Sequence, residues 1–292
     1  MKPLSQLVCR TWIEKKKKES KMTLFSFLPP DDKESITHLT PPSQDLTLGF
    51  DLGKEVLQQT HESWLLPFLR HFSEKEVCFF LSSLPLSTAQ SLKNALKCSR
   101  PLVQISATMQ FFFQQKMMQY LLNSAPNLLP IKALPKSSLN LLVSLNTKEL
   151  HLLVEFLGLH DLSVEIKQII DNTKLKKIHS VLSKEKQLFL KGLTHKKEQV
   201  IFKRMELSRW DGEMDRLLSL LFQRGMNRLA KALYPEHSDL VWHIAHRMDM
   251  QEAQLLFSLH KSLEHPNAYA FLSKQILEVL SFLQTHNPKT PS

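Results

Sequence analysis

Between Trp210 and Leu263 the chain places apolar side chains three and four residues apart almost without interruption. Only an α-helix turns that spacing into one buried stripe. Met214, Leu217, Leu218, Leu221 and Phe222 make the first stripe, with Arg216, Ser219 and Gln223 opposite. Ser208 and Asp211 have the S-x-x-D spacing of a capping box and predict that this helix begins there. Gly225 predicts its end, or a bend, because glycine accepts the left-handed conformation of a helix C-cap. Met226, Leu229, Ala230 and Leu233 carry the apolar face on to Tyr234, and Pro235 closes it. Ser238 or Asp239 then caps a core-facing helix through Leu240, Val241, Ile244, Ala245 and Met248. Ala253, Leu256, Phe257, Leu259 and Leu263 repeat the pattern. This stretch predicts a helical unit with no catalytic centre, whose function lies on its surface.

The rest of the chain extends the same reading. Glycine occurs only 6 times in 292 residues, tyrosine 3 times, and no run alternates cleanly at period two, so the expected fold class is all-α. Cys9, Cys78 and Cys98 stand alone, without a C-x-x-C, which predicts small apolar fillers in a reducing compartment rather than a zinc or disulfide framework. No apolar run reaches the roughly 18 residues of a membrane span. No signal-peptide stretch follows Lys2 and Pro3, so the cytoplasm is the expected location. Net charge is +10, which favours acidic partners. The denser basic runs, Lys15 to Lys18 and the looser Lys174, Lys176, Lys177, Lys184 and Lys186, lack interleaved aromatics and read as solvated helix faces.

Residues 1–21 read as a short helix, with either Met1 or Met22 as the translation start; residues 28–49, rich in Pro, Thr, Ser and Asp, read as a flexible linker, so that 1–49 is a flexible N-terminal segment. A first helical domain spans 50–128. In it, Ser73 and Glu76 form a capping box, Pro85 stops a helix and Ser87 or Thr88 caps the next. Pro101 opens a long helix to Ala125, and Phe111, Phe112 and Phe113 predict that this helix is buried on most sides. The proline-punctuated segment 125–136 separates the halves. A second helical domain spans 134–284, with Asn146 and Glu149 starting a helix that ends at Gly158, Asp161 capping another, Ser183 a third, and 285–292 a fraying tail. Irregularly spaced short helices of this kind predict armadillo-like stacking.

The chain has no phosphate-binding glycine loop, nucleophile elbow or Cys–His pair, so it reads as a non-enzyme without cofactor or small-molecule substrate. Two groups stand out. Asp239, His243 and His246 fall at i, i+4 and i+7 and are candidate metal ligands with His260 or His265, against the plainer reading of a polar face. Arg224, Arg228 and Lys231 share the same spacing and make a candidate cationic stripe for an acidic partner, with Trp210 and Trp242 as candidate anchors or core residues.

The string L-S-R-W-D-G…QRGMNRLAKALY…DLVWHIAHRMD resembles the C-terminal part of FliG-type flagellar switch proteins, with Ala232, Leu233 and Tyr234 at the triplet closing one helix and Met248 and Asp249 at the following turn. FSEKEVCFFLSSLPLSTAQSLKNAL is similar to that family's middle domain, with its break at Leu84 and Pro85 and its alanine at Ala89. RGMNRLAKALYPEHSDLVWHIAHRMD also looks like SctK-type adaptors of type III secretion injectisomes. The E-H-P-Q signature of the FliG middle domain is missing between 70 and 130, and Gly212 and Met214 interrupt the charged torque helix, which favours the secretion version. The resemblance implies FliG-like helical packing and a non-enzymatic adaptor joining an inner-membrane ring to cytoplasmic platform proteins, at the inner face of that membrane. A basic helical nucleic-acid binder and a secretion chaperone are the alternatives.

Overall fold

The computed structural model describes residues 30–38, 52–205, 207, 210–265 and 267–286. Thirteen α-helices and three 3₁₀ segments make up those residues, and no strand occurs among them. In the N-terminal region, Pro30–His38 forms α1, inside the stretch expected to be a linker. The expected helix over 1–21, Cys9, and the remainder of that linker lie outside the described residues, as does the tail after His286.

The first half contains α2 (Leu52–Gln59), a 3₁₀ turn (Glu62–Leu65), α3 (Leu66–Leu69), α4 (Glu74–Ser82), α5 (Leu86–Ala95) and α6 (Ala107–Leu122). Its core gathers Val56, Leu69, Leu81, Leu92, Met117 and Leu121. The Ser73–Glu76 capping box starts α4 with both reciprocal hydrogen bonds in place. Two expectations fail here. Pro85 itself is the N-cap of α5, with no side-chain cap from Ser87 or Thr88. Helix α6 begins at Ala107 and not at Pro101, because Ser106 is extended and its hydroxyl accepts from the Met109 N–H at 3.3 Å.

After 3₁₀ turns at Ile131–Ala133 and Ser138–Ser144 the second half comprises α7 (Thr147–Ile166), α8 (Asn172–Val181), α9 (Lys184–Thr194), α10 (Met214–Ala232), α11 (Ser238–His246), α12 (Met250–Leu259) and α13 (Asn267–His286). Asn146 and Glu149 form the second capping box, Asp171 caps α8, and Ser183 caps α9. Helix α7 is buried on all sides from Phe156 to Ser163, flanked by α9, α10 and α13. It runs straight through Gly158 and Asp161, neither of which ends or caps anything.

Helix α10 likewise continues through Gly225. Both glycines sit where α7 crosses α10: a Cβ on Gly225 would lie 2.7 Å from the Val154 carbonyl carbon, and one on Gly158 2.8 Å from that of Leu221. The missing side chains let the two backbones touch, which explains glycine inside two long helices despite its entropic cost. Helix α10 does not begin at Asp211. Gly212 holds φ +95, outside the helical region, and Trp210 is buried with its indole N–H on the Glu213 carbonyl at 2.9 Å. Asp211 accepts from the Glu213 N–H and pairs with Arg216 at 3.0 Å, while Ser208 lies outside the described residues.

Candidate functional site: a buried ionic network, a ring clamp and two open surfaces

Arg228 faces inward. Its guanidinium, 1% exposed, donates to Asp161 Oδ1 at 2.6 Å, Gln275 Oε1 at 2.7 Å, the Val200 carbonyl at 3.1 Å and Glu198 Oε1 at 3.5 Å. The Phe202 ring lies 5.3 Å away, within cation–π range. Glu198 also receives the Gln275 amide at 2.7 Å and sits 3.1 Å from His160 Nδ1. Burial alone would raise the Glu198 carboxyl, yet the His160 hydrogen bond and the Arg228 charge outweigh it and hold the group at about 2. Burial pushes His160 below the ordinary histidine value, so its ring is neutral and donates from Nδ1 to the carboxylate. One helix turn further on, Glu165 accepts the backbone N–H groups of Met205 and Leu207 at 3.3 and 3.2 Å. Glu165 and His160 of α7 thus hold Met205, Leu207 and Glu198 while Arg228 of α10 ties that helix to α7 and α13.

The cationic stripe expected on α10 is therefore not a surface. Arg224 is half-buried with its guanidinium on the Arg204 carbonyl at 2.9 Å, and the half-buried Lys231 donates to the Lys261 carbonyl at 3.0 Å. The physical reason is neighbourhood: α10 packs α7 on one side and α12 and α13 on others, so the side carrying Arg224, Arg228 and Lys231 meets protein while Arg216, Ser219 and Gln223 stay exposed. Trp210 belongs to the second core and is no anchor for a partner.

The histidine face of α11 is also engaged. Asp239 Oδ2 accepts the Leu129 N–H at 3.0 Å, and His243 Nε2 donates to the Leu129 carbonyl at 2.8 Å, so both hold the inter-half connection. His246 is stacked between two indoles, 3.9 Å from Trp64 and 3.6 Å from Trp242. Its Nδ1 donates to the Trp242 carbonyl at 2.9 Å, since a carbonyl only accepts. Burial, joined by the nearby His243 and opposed by that hydrogen bond, pushes His246 down to about 4. Trp242 is half-buried against the first core, so it is an internal bridge and not an exposed anchor. The Trp64 indole donates to the Met248 carbonyl at 3.1 Å, and the His61 N–H to the His246 carbonyl at 2.7 Å. His260 Nε2 donates to the Leu233 carbonyl at 3.2 Å, away from this cluster. Among the described residues no three His, Cys, Asp or Glu side chains are placed to hold a metal ion. Cys78 and Cys98 are buried with their sulfurs 3.5 Å apart, as free thiols, and burial raises Cys78 to about 11.

Two open surfaces remain, and neither was singled out by residue spacing. Of the three adjacent phenylalanines of α6 only Phe113 turns toward the core; Phe111 is 63% and Phe112 54% exposed, and Met109, Val103 and Leu86 are exposed too. The expectation that α6 is buried on most sides fails because α2 and α4 cover one face only. The overlooked signal is compositional: from Val77 to Lys148 there is no Asp or Glu, against seven Lys or Arg. In the second half a groove of about 430 Å³ runs between α9 and α13, lined by Leu188, Phe189, Leu193, Lys196, Glu278 and Phe282. Leu188 stands half out of it, with Ile170 and Ile201 more exposed still.

No protein-family model matches this chain, and no curated protein or solved structure is significantly similar to it.

Proposed function

We propose that the protein is a non-enzymatic adaptor of a type III secretion apparatus, or of its flagellar relative, which joins inner-membrane ring proteins to cytoplasmic platform components. The observation that carries this reading is the groove between α9 and α13. Its apolar floor of Phe189, Leu193 and Phe282 and its lip at Leu188 suit the apolar stripe of a partner helix, while the Lys196–Glu278 pair at the rim, 3.3 Å apart, supplies orientation. The interior supports the same reading. The deepest polar cluster, around Arg228, binds mainly its own protein partners, and the cleft of about 430 Å³ beside it (His160, Lys196, Glu198, Phe271, Gln275, Glu278 and neighbours) carries no hydroxyl or thiol nucleophile. The sequence likeness of 207–249 to the switch and adaptor families supplies the biological setting, at the cytoplasmic face of the inner membrane.

The test exploits Gly192, which lies in the groove lining and where an added Cβ meets nothing within 4 Å. Gly192→Trp starts its side chain from open space at the groove lining and should block the groove. Recovery of ring or platform proteins in a pull-down should fall at least about tenfold. Unchanged recovery by a folded Gly192→Trp variant removes the groove from the proposal.

A further inference from the structure

We propose that the outer face of α6, with the turn that precedes it, seats on an anionic membrane surface. Phe111, Phe112 and Met109 project from α6, Val103 from the extended approach to it, and Leu86 from the start of α5. Helix α6 is thus apolar on two sides: Phe113, Met117 and Leu121 face the core while Phe111 and Phe112 point out. A helix that needed only to cover its own core would carry polar residues there. Large apolar side chains exposed together on one helix mark a binding surface.

Charge selects the partner. The solvent-facing chain from Val77 to Lys148 offers Lys93, Lys97, Arg100, Lys116, Lys132, Lys136 and Lys148 with no carboxylate among them. Lys116 is closest to the apolar tips, its ammonium 5.7 Å from the Phe112 ring centroid, where its stem lies along the aromatic surface and its charge stays outside. Carboxylates on the packed neighbours are already engaged: Glu62 by the Ser91 hydroxyl at 2.7 Å, the exposed Glu74 by the Ser99 N–H and hydroxyl at 2.7 and 2.8 Å and by Arg100 at 3.7 Å, and the exposed Glu76 by the Ser73 hydroxyl at 2.7 Å. Among the described residues, Arg100 is thus the one cation of the seven that is paired with one of them. Anionic lipid attracts such a surface through many weak, unoriented contacts.

Shape selects between a bilayer and a protein. The cleft beside this face, about 220 Å³, is lined by Leu57, Gln58, Ser83, Leu84, Pro85, Gln110 and Gln114 and by none of the protruding side chains. The Gln114 and Gln110 amides turn inward to the Ser83 carbonyl at 2.7 and 3.4 Å, so little fixed hydrogen-bonding geometry remains outside. Protruding rings with diffuse positive charge fit the headgroup–acyl boundary, where aromatic tips bury a few ångströms deep and no donor needs a matched acceptor. No described helix is long and apolar enough to cross a membrane, so the contact is peripheral.

The experiment is co-sedimentation of the purified full-length protein with vesicles of phosphatidylcholine alone or with a third phosphatidylglycerol. Lys15 to Lys18 lie in the same chain and also attract anionic vesicles, so the deciding readout is the difference between wild type and Phe111→Ser/Phe112→Ser. Wild type should partition to the anionic vesicles at least about tenfold more strongly than to neutral ones, weakening at high salt. The double variant should lose about tenfold of that binding while keeping its helical circular dichroism. Wild-type indifference to anionic vesicles overturns the inference and leaves the face to a partner protein with an acidic-rimmed groove. Full binding by the double variant overturns it too, assigning the attraction to the N-terminal lysines. Partner recovery through the α9–α13 groove is untouched by either outcome.

Discussion

Gly158 on α7 and Gly225 on α10 face each other so closely that a Cβ on Gly225 would lie 3.0 Å from the Gly158 backbone nitrogen. This crossing brings the two best-buried helices of the second half together along their length. It also sets the position of Arg228, one turn beyond Gly225, over Asp161, one turn beyond Gly158. The close approach and the ionic network are consequences of the same pair of missing side chains.

Gly225→Ala should therefore be costly. The added methyl meets backbone and not a flexible side-chain end, so the helices must separate, at about 1–3 kcal/mol or more. Gly158→Ala should behave alike, since its methyl meets the Leu221 backbone. Gly192→Ala, in the open face of α9, should instead stabilise by about 0.5–1 kcal/mol through helix propensity. Urea unfolding of the three variants checks this, and equal midpoints for all three would refute the crossing.

Arg228→Ala should destabilise by about 3–5 kcal/mol, because it leaves Asp161 and Glu198 buried without their cation. Arg228→Lys should recover only part of that, since an ammonium cannot reproduce the fork to Asp161, Gln275 and Val200. The Glu198 carboxyl adds a pH signature. Its folded value, about 2, lies below the ordinary 4.5, so its stabilisation is complete above the ordinary value and drains away as pH falls toward 2. In Arg228→Lys the fall should begin at the same pH but be smaller and level off at a higher pH. Acid titration followed by circular dichroism reads the difference.

The contrast between what the sequence disclosed and what it hid follows from how far apart the interacting groups lie. Ser73 with Glu76 and Asn146 with Glu149 were readable because each cap is completed within four residues. The apolar periodicity yields the all-α class for the same reason. Gly158 reads in the sequence as a helix end and Gly225 as an end or a bend, since a glycine at a crossing and a glycine at a C-cap look alike until the second helix is known. Arg228 shows the same limit: its spacing from Arg224 and Lys231 is that of a solvated stripe, and only α13 and the 198–202 segment turn it inward. Asp239, His243 and His246 do share a face, but that face meets Leu129 and Trp64, more than a hundred residues away in the chain, with Trp242 of the same helix completing the stack.

His246 offers the sharpest pH test of how the halves are joined. Its folded value of about 4 lies below the ordinary 6.5, so below pH 6.5 the unfolded chain takes a proton that the stacked ring refuses. Stability from this site is full above pH 6.5 and falls as pH drops toward 4, by about 3 kcal/mol in total. His160 titrates in the same direction, so the wild-type slope combines both residues. His246→Phe keeps a ring between Trp64 and Trp242, removes the proton and loses the bond to the Trp242 carbonyl, at a cost of about 1 kcal/mol at pH 7. Between pH 6.5 and 4 the variant should lose stability less steeply by one proton, about 1.4 kcal/mol per pH unit. The two curves should therefore cross near pH 5 to 6 in urea titrations. Parallel curves would mean that the imidazole reaches water in the folded protein and that the two halves are not closed around it.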